Sequence, residues 1–234
     1  MFSKKLIPAL SLALLSLTQV SAKHIQVKAG PEAGLNFTDF WLKADGSKYK
    51  STVTSGFKIG GVADFGFSQL FSFQPGIFFT QKGASTTLMN YDSVGALVSM
   101  KKKMRINYIE VPLNVLFKLG YGHEGHFEIG GGPYVSFAVG GKKSLTNTQF
   151  TVSGSTQETT SPLLIGDAAT DDIKSIDWGF NLTGGYQWEA GVILRAQLGF
   201  GIQNILPEGN SDNHMRNWGF GVSAGYLFNC SKKH

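Results

Sequence analysis

The chain has 234 residues, 42% of them hydrophobic, with a mean hydropathy of −0.03, which suits one domain, or two small ones at most, of ordinary composition. Its formal charge of +5 drops to +3 once Lys4 and Lys5 leave with a leader, so net charge gives no argument for nucleic-acid binding. The single cysteine, Cys230, excludes an internal disulfide, and its distance from the N-terminus excludes lipid attachment at a mature N-terminal cysteine.

Residues 1–22 have the form of a secretory signal peptide. Lys4 and Lys5 precede an apolar stretch from Leu6 to Leu17, and Val20-Ser21-Ala22 offers small residues for cleavage. The stretch is too short to span a bilayer as a helix, so residues 23–234 are expected to form the mature domain.

Within that domain, apolar and small or polar residues alternate in eight stretches: 26–37, 55–67, 71–82, 104–119, 126–139, 175–189, 191–203 and 215–229. The last is the clearest, with Trp218, Phe220, Val222, Ala224, Tyr226 and Phe228 on one parity and Gly219, Gly221, Ser223 and Gly225 on the other. A period of two is the signature of extended strand. Each stretch reaches the roughly 9–11 residues that a tilted strand needs to cross a bilayer. Three connections are short, at 68–70, 120–125 and around Ala190. The other four, 38–54, 83–103, 140–174 and 204–214, are long and polar and are expected to be loops. Pro31, Pro75, Pro112 and Pro133 predict bulges or lost ladder bonds, and parity slips near Tyr108.

The two faces differ in bulk. One carries Phe57, Ile59, Ile77, Leu113, Val115, Phe117, Phe180, Leu182, Leu194 and Leu198. The other carries Lys28, Glu32, Lys58, Asp64, Glu110, Lys118, Glu128, Asp177, Glu189 and Arg195, interleaved with glycine. An eight-stranded barrel has an interior just wide enough to be filled by side chains. The bulky set would overfill it, so the charged set is expected inside as a paired lumen network and the apolar set toward lipid. Trp178 and Trp218 then mark one rim, and Tyr186, Trp188, Tyr226 and Phe228 the other, as two aromatic girdles. The predicted fold is an all-β, eight-stranded antiparallel up-and-down transmembrane barrel.

The run Asn107-Tyr108-Ile109-Glu110-Val111-Pro112-Leu113 resembles a signature strand of the PorT-like outer-membrane β-barrel family. The Ala29 to Asn36 strand and the closing Gly225-Tyr226-Leu227-Phe228 are similar to it as well. The resemblance implies an OmpA-type barrel in the outer membrane of a Gram-negative bacterium. It implies little about activity, beyond the founding member's association with protein secretion.

Further candidates lie in the connections. Lys101, Lys102, Lys103 and Arg105 could meet lipopolysaccharide phosphates or form a solvated loop base. The 140–174 connection carries Leu163-Leu164-Ile165 before Asp167, Asp171 and Asp172, and suits a mobile loop, a protein contact or an extra hairpin strand. His123 and His126 flank Glu124 without the geometry of a metal site, and Asp212 with His214 lacks a fixed nucleophile. No cofactor, metal or catalytic set is expected. The sequence points to a non-enzymatic outer-membrane anchor presenting loops, with a narrow channel or a secretion accessory as alternatives.

Overall fold

The computed structural model describes residues 25–91, 97–122, 124–150 and 155–231; the predicted leader and His123 lie outside them. The elements are β1 (Gln26–Ala44), β2 (Ser47–Tyr49), β3 (Thr52–Gly66), β4 (Phe71–Tyr91), β5 (Leu97–Gly122), β6 (Gly125–Phe150), β7 (Ser155–Pro162), β8 (Ile176–Trp188), β9 (Val192–Gly201), β10 (His214–Tyr226) and β11 (Phe228–Asn229). No helix among these residues is long and apolar enough to cross a membrane. Eight strands form an antiparallel ring in the order β1, β3, β4, β5, β6, β8, β9, β10, and β10 closes on β1 from Glu32 opposite Gly225 to Lys43 opposite His214. Closure leaves no edge in the ring.

Parity sorts the faces as expected. Ile77, Ile129 and Phe117 are 60%, 58% and 55% exposed on the outer wall, whereas Glu32 and Asp177 inside are 1% and 0% exposed. The tight connections β3 to β4, β5 to β6 and β8 to β9 share the end where the termini meet; there the Cys230 N–H donates to Val27 O at 2.8 Å. This is the turn end, and the opposite end is the loop end. The prolines act more mildly than a bulge would. Recorded pairing skips from Pro75 opposite Leu113 to Phe78 opposite Glu110, and from Pro112 opposite Tyr134 to Val115 opposite Gly131, without a change of register. The slip near Tyr108 is present, but the extra residue is Val139 on the partner strand, since Tyr108 faces Ala138 and Asn107 faces Gly140.

Two expected loops are largely strand. Most of 83–103 continues β4 and starts β5, paired from Gly83 opposite Arg105 to Tyr91 opposite Leu97. Much of 140–174 is likewise the top of β6 with β7 folded back on it, from Lys142 opposite Pro162 to Gln149 opposite Ser155. The upper parts of β4, β5 and β6 together with β7 therefore form a sheet raised above the ring. In the first connection, β1 extends to Ala44 and turns through Asp45 and Gly46, both at positive φ (47° and 77°), into β2. That Asp-Gly pair suits a tight hairpin, which needs left-handed backbone at both turn positions.

The loop end is capped by an apolar cluster. Leu163 and Ile173, from the segment after β7, pack with Ile205 and Met215 on Phe40, Ala84, Ile106 and Tyr108. Leu163 and Ile165 thus belong to the cap while Leu164 stays exposed, so the apolar triplet is mostly internal rather than a contact point. A second apolar cluster, Val62, Phe78, Ile193 and Leu227, lies within the ring.

Leu182 is midway along β8 between Trp178 and Tyr186 and faces outward. Leu182→Arg is expected to destabilise the barrel by about 2–4 kcal/mol, the cost of a cation at bilayer midplane. The check is the denaturant midpoint in phosphocholine vesicles, and an unchanged midpoint would overturn the face assignment. Replacing 144–161 with a short Gly-Ser linker should leave that midpoint intact, because the raised sheet packs outside the ring. Ile173→Ala, by contrast, should weaken the cap by about 2–5 kcal/mol, seen as faster amide exchange at Ile173 and Ile205.

Candidate functional site

The lumen is where the sequence concentrates its chemistry, and glycine makes room for it. Gly185 sits in register between Glu128 on β6 and Arg195 on β9. A Cβ there would come within 2.3 Å of Leu194 O and 3.0 Å of the Arg195 Cα.

Charges form two layers. In the layer nearer the turn end, Arg195 bridges Glu32 and Glu128 at 2.7 and 3.0 Å. Lys58 contacts the other Glu32 oxygen at 3.1 Å, donates to Gln197 at 2.7 Å and stands 4.0 Å from the Phe78 ring centroid. Ser223 donates to Glu32 at 2.8 Å, and Lys118 meets Asp64 at 2.5 Å. With its amide oriented to suit both neighbours, Gln187 donates to Glu128 and accepts from Lys28 at 3.1 and 2.8 Å. In the layer nearer the loop end, Lys82 contacts Glu110 at 2.7 Å and Asp177 at 3.5 Å. Ser136 donates to Glu110, Tyr134 and Asn217 donate to Asp177, and Lys82 lies 4.4 Å from the Tyr134 ring centroid.

Nine of the ten charges expected inside are therefore in the ring. Glu189 is the exception: it is exposed in the turn after β8, where its N–H donates to Glu124 O. Strand β8 ends one residue earlier, which takes Glu189 out of the alternation. Lys82 was missed, although it shares inward parity with Gln74 and Thr80. Placed last in its stretch, it read as the lip of a loop rather than the interior of a longer strand. His126 opens β6, buried, with Nε2 3.4 Å from Glu128. Among the described residues no group of side chains could hold a metal ion.

Between the two layers lies a cavity of about 50 Å³, lined in part by Asn36, Lys58, Lys82, Asn181, Gln197 and Asn217. That is room for about three or four waters. Asn181 Nδ2 and Asn217 Oδ1 are buried there without a protein partner, which suits hydration of this pocket. A passage through the ring would have to displace two ion-paired layers and the cap.

Outside, Trp178, Trp218 and the unforeseen Trp41 gather near the loop end, with Trp41 stacked on Trp218 at 6.1 Å, while Trp178 donates to Gln203 at 3.0 Å. Tyr186 packs edge-on against Phe127 and Trp188 at 4.9 and 4.8 Å, and Tyr226 lies 4.7 Å from Phe228, near the turn end. The basic run on β5 divides by parity. Lys101, Lys103 and Arg105 share the outer face of the raised sheet with Lys142, while Lys102 alternates to the side of Met104, which packs on the cap. Partial burial, then the charges of Arg105 and Lys101, lower the Lys103 pKa below the usual lysine value. On the cap side, Lys143 pairs with Asp172 at 2.7 Å. Burial works to raise the Asp172 pKa, but the bonds from Lys143 and the Leu164 N–H outweigh it and hold the carboxyl below the ordinary aspartate range. Asp212 is held by Lys43 at 2.9 Å, while His214 Nδ1 contacts Ser211 O at 3.3 Å. Cys230 is an exposed free thiol.

Residues 18–207 match the outer membrane protein beta-barrel domain family. Similar solved structures include Ail, the attachment invasion locus protein of Yersinia pestis, in complex with the heparin analogue sucrose octasulfate, at 13% identity over 86% of this chain and 99% of that one, with a TM-score of 0.37. OprG from Pseudomonas aeruginosa is 14% identical over 88% and 96% of the two chains, with a TM-score of 0.32. An outer membrane channel from Pseudomonas putida F1 is 10% identical over 90% and 98%, with a TM-score of 0.30. No curated protein sequence matches.

Lys82→Met should expose the interdependence of the loop-end layer. Removing one partner of a buried ion cluster costs about 3–5 kcal/mol, here because Glu110 and Asp177 lose their shared cation. Adding Glu110→Gln and Asp177→Asn should recover much of that loss. Equal stability of wild type and Lys82→Met in denaturant titrations would show that the layer is not coupled.

Proposed function

This chain belongs to the outer membrane protein beta-barrel domain family and is an integral outer-membrane barrel, and from that premise we propose that it works as a non-enzymatic anchor. In this reading its closed ring holds a raised sheet at the cell surface for contact with the matrix or a protein partner. The observation that carries the proposal is strand length. Strands β5 and β6 have 26 residues each, a contour of roughly 85 Å at about 3.3 Å per residue, against an apolar band of about 25 Å. Even with strong tilt, the upper parts stand clear of the membrane.

The raised sheet has two edges among the described residues. The β7 edge carries Glu158 and Pro162, which blunt edge pairing. The β4 edge from Thr86 to Tyr91 has no partner beyond β5, and it exposes Leu88, Met89 and Tyr91. An uncharged, unpaired edge suits strand addition by a partner. On the outer face, Lys101, Lys103, Arg105 and Lys142 suit lipopolysaccharide phosphates. Within the family, the Asn107 to Leu113 segment supports the finer PorT-like assignment.

The competing reading is a narrow channel, favoured by the small lumen cavity with its unpartnered Asn181 and Asn217 atoms. Single-channel recording of the refolded chain in a planar bilayer separates the two. A folded barrel without conductance steps is expected. Reproducible steps that disappear in Arg195→Met or Lys82→Met would replace the anchor with a lumen-gated pore.

A further inference from the structure

Above the loop-end aromatic girdle, on the outer wall, β2 and the rims of β1 and β10 enclose a cleft of about 510 Å³, within the size range of small-molecule sites. Register builds it in steps that climb away from the membrane. Asp39 faces Trp218, Trp41 faces Arg216, and Lys43 faces His214 on β10 and Lys48 on β2. Aromatic rings therefore line the lower part, with Trp41 46% exposed and stacked on both Trp218 and Phe200. Cations line the upper part.

The wall of the cleft is fixed by its own chain. The Gly46 N–H donates to Asp212 O at 3.2 Å and the Asp45 N–H to Asn213 Oδ1 at 2.9 Å, while Lys43 holds Asp212 at 2.9 Å. Asp39, the carboxylate that lines the cleft, accepts from the Phe40 N–H at 2.8 Å, and the neighbouring Asp212 is held by Lys43. Lys48, Lys50 and Arg216 are exposed, and among the described residues none has a salt-bridge partner. Three uncommitted cations above a stacked aromatic floor match a ligand with an apolar ring face and anionic substituents. In the anchor reading the loop end faces outward, so a cleft floored by the interfacial Trp41–Trp218 pair sits at the headgroup level of the outer leaflet.

We propose that this cleft binds the phosphorylated sugar headgroup of an outer-leaflet glycolipid, with Arg216, Lys48 and Lys50 on the phosphate and Trp41 against the sugar ring. Guanidinium and phosphate form charge-assisted hydrogen bonds, and the indole face suits the apolar side of a pyranose. The inference rests on the lipopolysaccharide-contact reading above, but assigns it to a different face of the barrel from Lys101, Lys103 and Arg105.

The test uses the mature chain refolded in a zwitterionic detergent, with folding of each variant checked by its heat-dependent gel mobility. Native mass spectrometry and tryptophan fluorescence follow the titration. The probes are diphosphoryl lipid A, its dephosphorylated form, phosphatidylglycerol and soluble glucosamine 4-phosphate. One diphosphoryl lipid A per barrel is expected, and Arg216→Gln with Lys48→Gln should weaken it at least tenfold, about the worth of one charge-assisted hydrogen bond. Trp41→Leu should weaken lipid A but leave phosphatidylglycerol unchanged. Lys101→Gln with Lys103→Gln should cost less lipid A affinity than Arg216→Gln with Lys48→Gln; a loss there alone, with Arg216→Gln/Lys48→Gln silent, would move the contact to the β5 face and overturn the cleft. Equal binding of phosphatidylglycerol or of dephosphorylated lipid A would reduce the cleft to a general interfacial anchor. Equal binding of soluble glucosamine 4-phosphate would make the ligand a free saccharide. Either result overturns the proposal.

Discussion

A chain that crosses a membrane as strands has to satisfy every backbone N–H and C=O within its own sheet, because hydrocarbon offers no partner. Closure of β10 on β1 meets that demand, and the rest of the molecule follows from it. Once the ring is closed, each residue faces either lipid or lumen, and a one-residue slip would exchange the two sets. The eight-strand circumference then limits the lumen to what side chains can fill. Glycine beside charge is the solution seen here, with Gly185 leaving space where Arg195 reaches Glu128 and Glu32.

The buried charges are arranged by layer rather than simply paired. Near the loop end, Lys82 serves two carboxylates, Glu110 and Asp177. Nearer the turn end, Lys28, Lys58, Lys118 and Arg195 accompany Glu32, Asp64 and Glu128. Formally the first layer has one negative charge in excess and the second one positive, so the layers balance along the axis. Buried ion pairs are not in themselves a source of stability. Their role here is to fill the lumen with groups that lose heavily if a neighbour leaves, which favours one packed arrangement over a shifting, wet interior. The apolar cap of Leu163, Ile173, Ile205 and Met215 excludes water from the same end.

Much of this was legible from parity. Where one face meets lipid and the other a crowded lumen, alternation is strong, and the ring strands with nine of the ten expected lumen charges could be read from it. Legibility fails where that contrast fades. In the raised sheet both faces are largely free of the lumen, so Thr86 to Tyr91 and Ser144 to Gln149 are uniformly polar or mixed, and they resemble loop. Lys82 was lost for the same reason, because its strand seemed to stop there. Lys102 fell within a run of four basic residues in five positions whose common charge masks the alternation that turns it away from Lys101 and Lys103. The cap was hidden more deeply. Leu163-Leu164-Ile165 is visibly apolar, but only the fold brings it over Phe40 and Ile106.

Unequal strand lengths tie these features together. Strand β8 has 13 residues against 26 in β6, so it pairs β6 only from Gly125 to Phe137. From Lys142 upward β6 would present a bare edge, and β7 folds back to cover it. The chain then descends to β8 and crosses the mouth of the ring, which is why the cap is made from the connections that border the short strands. On the far side β3 stops at Thr52, opposite Ser85, and no second β7 covers that edge among the described residues. The top of β4 is left open there, with apolar side chains on show. One edge of the raised sheet is thus covered and closed with Glu158 and Pro162, while the other, from Thr86 to Tyr91, is uncharged and has no partner beyond β5 among the described residues. Edge strands that a protein keeps to itself are usually blunted. The asymmetry therefore argues that the β4 edge is the side offered to a partner, and that the barrel's tall wall exists to lift it clear of the membrane.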